Sequence, residues 1–199
     1  MSNPTPADGQ PIPESLVAAV DETVAELQGG VTYVLAAVIF DEAQLAREDI
    51  QALTADRTRP FHWHKEGPTT RKAAVGLIDA HAIATKILAR RAGRQAQTAA
   101  RATLLGRLAT ELAAEGVGHV VIESRSQRED GRDRAVILNS FHERTTRPFS
   151  YDWRTKAEPL LWYPDALAGL AREHLTDGQS SGFSHLQSTL TVTDVRYVN

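Results

Sequence analysis

The run Val31 to Phe40, VTYVLAAVIF, is the longest apolar stretch of the chain and the feature that most limits how it can fold. It is far shorter than the roughly 20 residues a membrane helix requires, and its β-branched and aromatic side chains favour a strand. A second apolar run of strand length, Ser15 to Asp21 (SLVAAVD), precedes it across Gly29-Gly30, and the two together predict an antiparallel pair. The segment between them, ETVAELQGG, is longer than a tight hairpin and leaves room for further strand residues.

Beyond Phe40 the pattern changes to helices alternating with strands. A surface helix is expected from Asp41, carrying Leu45, Ile50 and Leu53, followed by a short strand at FHWHKEG (61–67). Pro68 is suited to open a helix carrying Ala73, Ala74, Leu77 and Ile78. His81 to Arg91 reads as another strand, and Gln95 to Glu115 is the clearest helix, with Ala100, Leu104, Leu105, Leu108 and Leu112 on one stripe and Gly116 at its stop. VGHVVIES then forms a compact strand ending on Glu123. Asp130 to Thr145 is helical by pattern, Pro148 to Ala157 a strand, and PLLWYPDALAGLAREHL the last long helix. The tail SSGFSHLQSTLTVTDVRYVN is β-rich and suits an edge strand. This order predicts an α/β or α+β sheet covered by helices.

The first dozen residues, rich in proline and acids, read as a disordered leader over 1–13, with one domain over 14–199. They lack the basic start and apolar core of a signal peptide, and the chain has no cysteine, which fits a reducing compartment; a cytoplasmic protein is the expectation. Without thiolates, any metal must sit on oxygen or imidazole. The formal net charge of −3 argues against coating nucleic acid by bulk attraction, but the charges are unevenly spread. Acids dominate from Asp8 to Asp56, whereas Lys86, Arg90, Arg91, Arg94, Arg101 and Arg107 have no acid among them. A basic stretch facing an acidic site would suit a phosphodiester; a solvated helix face explains the same residues without function.

Three positions could carry chemistry. Asp21 with Glu22, Glu123, and Asp165 stand at element ends, where ligands gather in open sheets, and hard oxygen donors from several elements are what magnesium or manganese requires. His62 and His64 would share one face of a strand, able to bind a transition metal or move protons. Gly178 to Gly182 (GQSSG) matches the G-x-S-x-G pattern of serine hydrolases, but it follows a helix where that motif needs a strand, so an esterase built on Ser180 is the weakest reading.

Four segments resemble a known family. VDET (20–23), FHWHKEG (61–67), VIESRSQREDGRDR (121–134) and LLWYPDALAG (160–169) are similar to the actinobacterial branch of the family catalogued as domain of unknown function 3800, from about Val20 to His174. The resemblance implies a ribonuclease H-like fold: a mixed sheet with antiparallel first strands, then parallel strands, flanked by helices. Nucleases of that fold hold metal with acids on the first strand, the central strand and the last helix, which here fall on Asp21, Glu123 and Asp165, with Glu22 and Asp133 as additions. One departure stands out, since Thr23-Val24 replaces the Ser-Gly of the family's usual Asp-Glu-Ser-Gly.

The expected function is therefore a nuclease or phosphodiesterase using Mg2+ or Mn2+ on RNA or DNA. His62, His64, Lys65, Arg125, Arg132 and Arg134 would bind substrate, and Trp63 or Trp162 would stack on a base unless buried in the core. The alternative is a catalytically inactive ribonuclease H-like protein that engages a protein or nucleic-acid partner through its arginine-rich segment. The oligomeric state is left open, and no membrane association is expected.

Overall fold

β1 (Val17–Leu27) and β2 (Gly30–Phe40) pair antiparallel along their full length, Val17 opposite Phe40 and Leu27 opposite Gly30. The computed structural model to which these elements belong describes residues 15–27, 30–56, 59–142, 148–178, 181–189 and 195–198; the expected leader lies outside them. Every residue from Val31 to Phe40 is buried, because both faces of β2 are covered.

After β2 come α1 (Ala43–Ala52), α2 (Pro68–His81), β3 (Ala84–Ala92), α3 (Gln97–Ala114), β4 (His119–Glu123), α4 (Gln127–Asn139), β5 (Ser150–Arg154), α5 (Trp162–Asp177), α6 (Ser181–Thr189) and β6 (Val195–Tyr197). Pro68 stands in the first turn of α2, as expected, and the Ser126 side chain caps α4 by accepting from the Glu129 N–H. The sheet order is β5-β4-β1-β2-β3-β6. β3 runs antiparallel to β2, while β4 is parallel to β1, β5 to β4 and β6 to β3. The protein is thus an α/β fold with a mixed sheet flanked by helices. Among the described residues no helix is long and apolar enough to cross a membrane.

Strand alternation divides β1 and β2 between two cores. Ala19, Val34, Ala36, Val38 and Phe40 pack beneath α1, α2, α5 and α6. Ala18, Val20, Leu35, Ala37 and Ile39 pack beneath α3 and α4. The same alternation sends the adjacent acids Asp21 and Glu22 to opposite faces, Asp21 toward α5 and Glu22 toward α3.

Four expectations need correction. FHWHKEG is not a strand: an extended approach leads into a 3-10 turn over Trp63–Lys65, because the Trp63 N–H and carbonyl are taken by the Asp165 carboxylate and the Arg71 guanidinium instead of a neighbouring strand. β1 does not end at Asp21 but continues six residues to Leu27, since β2 supplies a partner throughout. α4 begins at Gln127 rather than Asp130, where Ser126 caps it. In the β-rich tail, 181–189 form α6, while β6 supplies the edge strand expected there. Ser180 lies outside the described residues.

Glu22 meets Arg101, a residue of α3 whose side chain is only 1% exposed. The Arg101 guanidinium donates to Asp133 Oδ2 at 2.7 and 3.0 Å, to Glu22, and to the Tyr33 hydroxyl at 3.4 Å. A planar fork between two carboxylates is the geometry for which arginine is suited. Burial alone would weaken its charge, but Glu22 and Asp133 outweigh this and hold Arg101 firmly protonated. Removing one partner of such a pair leaves bare buried charge, at a cost of about 3–5 kcal/mol. Arg101→Met should therefore lower unfolding free energy by about that amount in urea titration, and a loss no larger than that of a surface substitution would contradict this account.

Candidate active site

β1 outruns β4. Their pairing ends at Val20 opposite Ile122, and Glu123 is the last residue of β4. Past this point the chain turns from β4 into α4 and from β5 toward α5, at the carboxyl ends of parallel strands, the place of the ligand crevice in open sheets. Asp21 projects from β1 into this crevice and Glu123 from the end of β4. Asp165 enters from the first turn of α5.

The three acids meet at one atom. Lys156, in the turn after β5, places its ammonium nitrogen 2.5 Å from Asp21 Oδ2, 3.1 Å from Asp165 Oδ1 and 3.4 Å from Glu123 Oε2. The Lys156 carbonyl accepts from Trp162 Nε1 at 2.7 Å, which fixes the turn against α5. Asp21 is 2% exposed, and its Oδ1 also accepts from the Glu22 N–H at 2.7 Å. Burial and a hydrogen bond to Glu123 push the Asp21 carboxyl well above the usual range, against the opposing pull of Lys156. Burial also opposes charge on Lys156, but the carboxylates of Asp21, Asp165 and Glu123 overcome it and raise its pKa. Three acids around one ammonium leave a centre that is still short of positive charge.

One wall of the crevice is built around Trp63. Asp165, Gly169 and Glu173 lie at successive turns on one face of α5. Asp165 Oδ2 accepts from the Trp63 N–H and Glu173 Oε1 from Trp63 Nε1, both at 2.8 Å. Between them the indole lies on Gly169, where an added Cβ would come within 2.1 Å of the ring. Arg71 covers the other side at 5.0 Å from the ring centroid and pairs with Glu173 at 2.9 Å. This holds His62 beside Asp165, with its ring 5.9 Å from that of His64. Partial burial lowers the His62 pKa, Asp165 working against that shift and Lys156 adding to it. His64 and Lys65 are exposed.

The other residues singled out in the sequence do not join the acids. Glu22 is on the opposite face, where Arg125 reaches it at 3.2 Å besides Arg101, and Asp133 is buried against Arg101. Arg125 also contacts Glu129 at 3.4 Å, and Arg134 lies over the Trp153 ring at 5.2 Å. Arg132 is exposed on α4. Trp63 and Trp162 are buried core residues. The basic stretch is largely neutralised within the fold: Lys86 pairs with Glu115, Arg94 with Glu26, Arg107 with Glu111, and Arg101 with Glu22 and Asp133.

Lys156 went unnoticed in the sequence. Its one available signal is compositional, because the chain uses lysine only four times against eighteen arginines. Lysine supplies a compact point charge on a flexible stem, with three rotatable donors for the three carboxylates. As for metal, three carboxylates are a suitable donor set for magnesium or manganese. Yet among the described residues no three His, Cys, Asp or Glu side chains stand as a ready metal cage, and here the acids close around an ammonium. A groove of about 590 Å³ between α2, α5 and α6 borders the centre through Trp63 and is lined by Arg71, Val75, Leu170, Glu173 and His185. No protein-family model matches the chain, and no curated protein and no solved structure matches it significantly.

Two outcomes follow from this geometry. Gly169→Ala should displace the Trp63 indole and lower stability by about 1–3 kcal/mol, the usual range for overpacking, with a change in tryptophan fluorescence. For Asp21, a folded pKa above the unfolded value of 3.8 means that its contribution to stability is complete below that value and is lost as pH rises through the folded one. Asp21→Asn has no such proton to lose, so its melting temperature should gain on wild type as pH rises above about 4 through the folded pKa; a difference independent of pH would refute the shift.

Proposed function

We propose that this protein is a divalent-metal-dependent nuclease or phosphodiesterase of the ribonuclease H-like class, acting on RNA or DNA, with Asp21, Glu123 and Asp165 as oxygen ligands for magnesium or manganese. The observation that carries this reading is the convergence of the three carboxylates on a single cation position, within 3.4 Å of one nitrogen, at the carboxyl ends of parallel strands. The strand order, with an antiparallel hairpin beside parallel β4 and β5, is in keeping with it, as is the resemblance of the motif segments that contain these acids.

Asp21, Glu123 and Asp165 would hold the metal, which would supply Lewis-acid activation of water and charge stabilisation for phosphodiester cleavage. The protein's own groups have separate tasks. The Trp63 N–H orients Asp165 through one oxygen and leaves the other facing the crevice. His62, its pKa lowered from the usual 6.5, stands neutral beside Asp165 near pH 7 and is able to take up a proton there. Arg125, just before α4, is paired on the opposite face and Arg134 of α4 lies over Trp153, so neither is needed at the centre.

A second reading, the catalytically inactive binding protein, is favoured by the ammonium standing where the metal would be. Its arginine-rich segment retains few cations free of carboxylate partners: Arg91 lies over Tyr197 at 5.6 Å, and Arg90 is half-buried. Magnesium discriminates the two, because an ion that binds only the folded state must raise the melting temperature.

The test is cleavage of labelled single- and double-stranded RNA and DNA in magnesium or manganese. Asp165→Asn keeps an acceptor for the Trp63 N–H while removing the charge, so the variant should stay folded and lose at least about 100-fold in rate, in line with loss of electrostatic stabilisation at a reaction centre. Wild-type-like cleavage by Asp165→Asn would rule out the assignment, and absence of both cleavage and metal stabilisation in the wild type would favour the inactive reading.

A further inference from the structure

We propose that Lys156 is a tethered counter-ion that competes with divalent metal for the seat formed by Asp21, Glu123 and Asp165, so that loading the site requires its side chain to leave. This rests on the metal-dependent reading above and adds how that metal site is controlled.

The ammonium lies within 3.4 Å of an oxygen from each acid. A divalent ion would need the same oxygens at about 2.0–2.6 Å. Both cations cannot share those lone pairs, and their mutual repulsion in a site this buried would be severe. Occupation is therefore exclusive. Without Lys156, three carboxylates would face one another, with Asp21 almost wholly buried, and like charges at that spacing do not remain ionised together. The lysine thus holds the centre together in the absence of metal.

The means of exchange is built into the turn. The Lys156 backbone is anchored, its carbonyl accepting from Trp162 Nε1 at 2.7 Å, and Glu158 N–H closing the turn on the Thr155 carbonyl at 2.9 Å. Beyond the Cα stands a flexible four-carbon stem. Rotation of the stem empties the seat while the fold stays as it is. The contrast with Arg101 is informative, because Arg101 is clamped by a rigid fork on the far side of β1 and has no exposed route out, whereas Lys156 is 12% exposed. Metal affinity is then reduced by the fraction of molecules in which the lysine is out.

Manganese binding to the full chain, measured by isothermal titration calorimetry, tests this in wild type, Lys156→Met and Lys156→Arg. Lys156→Met should have a lower melting temperature without metal, bind manganese at least tenfold tighter than wild type, and regain its melting temperature as manganese is added. Lys156→Arg keeps a cation in the seat and should bind no tighter than wild type. If Lys156→Met does not fold, Lys156→Gln is read in its place, with the same expected gain. Equal or weaker manganese affinity in the neutral variant would overturn the proposal, and so would absence of binding in every variant. Nucleic-acid cleavage is scored separately: tighter metal binding without cleavage leaves the counter-ion role standing and removes the nuclease, while metal-dependent cleavage with unchanged affinity does the reverse.

Discussion

A carboxylate taken out of water must bring a counter-charge with it, and β1 buries two from adjacent positions. The strand period sends Asp21 to one face of the sheet and Glu22 to the other, so a single dipeptide creates two separate demands for a cation. Lys156 meets the first and Arg101 the second. Much of the architecture around β1 follows from these two demands. α3 and α4 are tied together through Arg101 and Asp133. On the other face, the turn after β5 and the start of α5 are drawn to the crevice by Lys156 and Asp165.

The two cations differ in kind, and the difference separates scaffold from site. Arg101 is held by two carboxylates and a tyrosine hydroxyl under α3 and α4, with each of its three guanidinium nitrogens engaged. Such a group stiffens the floor from which Asp21 projects. Lys156 presents a point charge on a flexible stem at the open end of the sheet. One face of β1 is therefore locked by a guanidinium, while on the other a single ammonium stands among three acids. A centre still rich in negative charge, beside a partly buried imidazole and a wall braced by Trp63, is suited to cations and to the anions they in turn attract.

Much of the fold was legible in local pattern. The apolar run Val31 to Phe40 specified a strand, and the leucine stripe within Gln95 to Glu115 specified a helix, because each pattern is a direct record of burial. The turn at 61–67 was not legible. Its aromatic and histidine residues alternate as a strand's do, and only a carboxylate 102 residues away, on α5, diverts its backbone N–H from a ladder. Asp21, Glu123 and Asp165 were recognisable as acids at element boundaries. Glu22 carried the same local signal as Asp21, and its separation from the site follows from a strand that continues past both residues, which depends on its partner β2.

Lys156 is the clearest instance of what local pattern leaves out. Nothing in RTKAEP distinguishes it from a solvated lysine, because its meaning comes from acids 135, 33 and 9 residues distant along the chain. The amino-acid sequence by itself determined most of the strands and helices and the acids available to a site, since these depend on periodicity and side-chain type within a few residues. Tertiary structure alone decided which acids meet, which cation stands between them, and that the arginine-rich segment is largely neutralised internally. Those outcomes are sums of charge and distance over the whole fold, and electrostatic pairing, unlike burial, leaves no period in the chain.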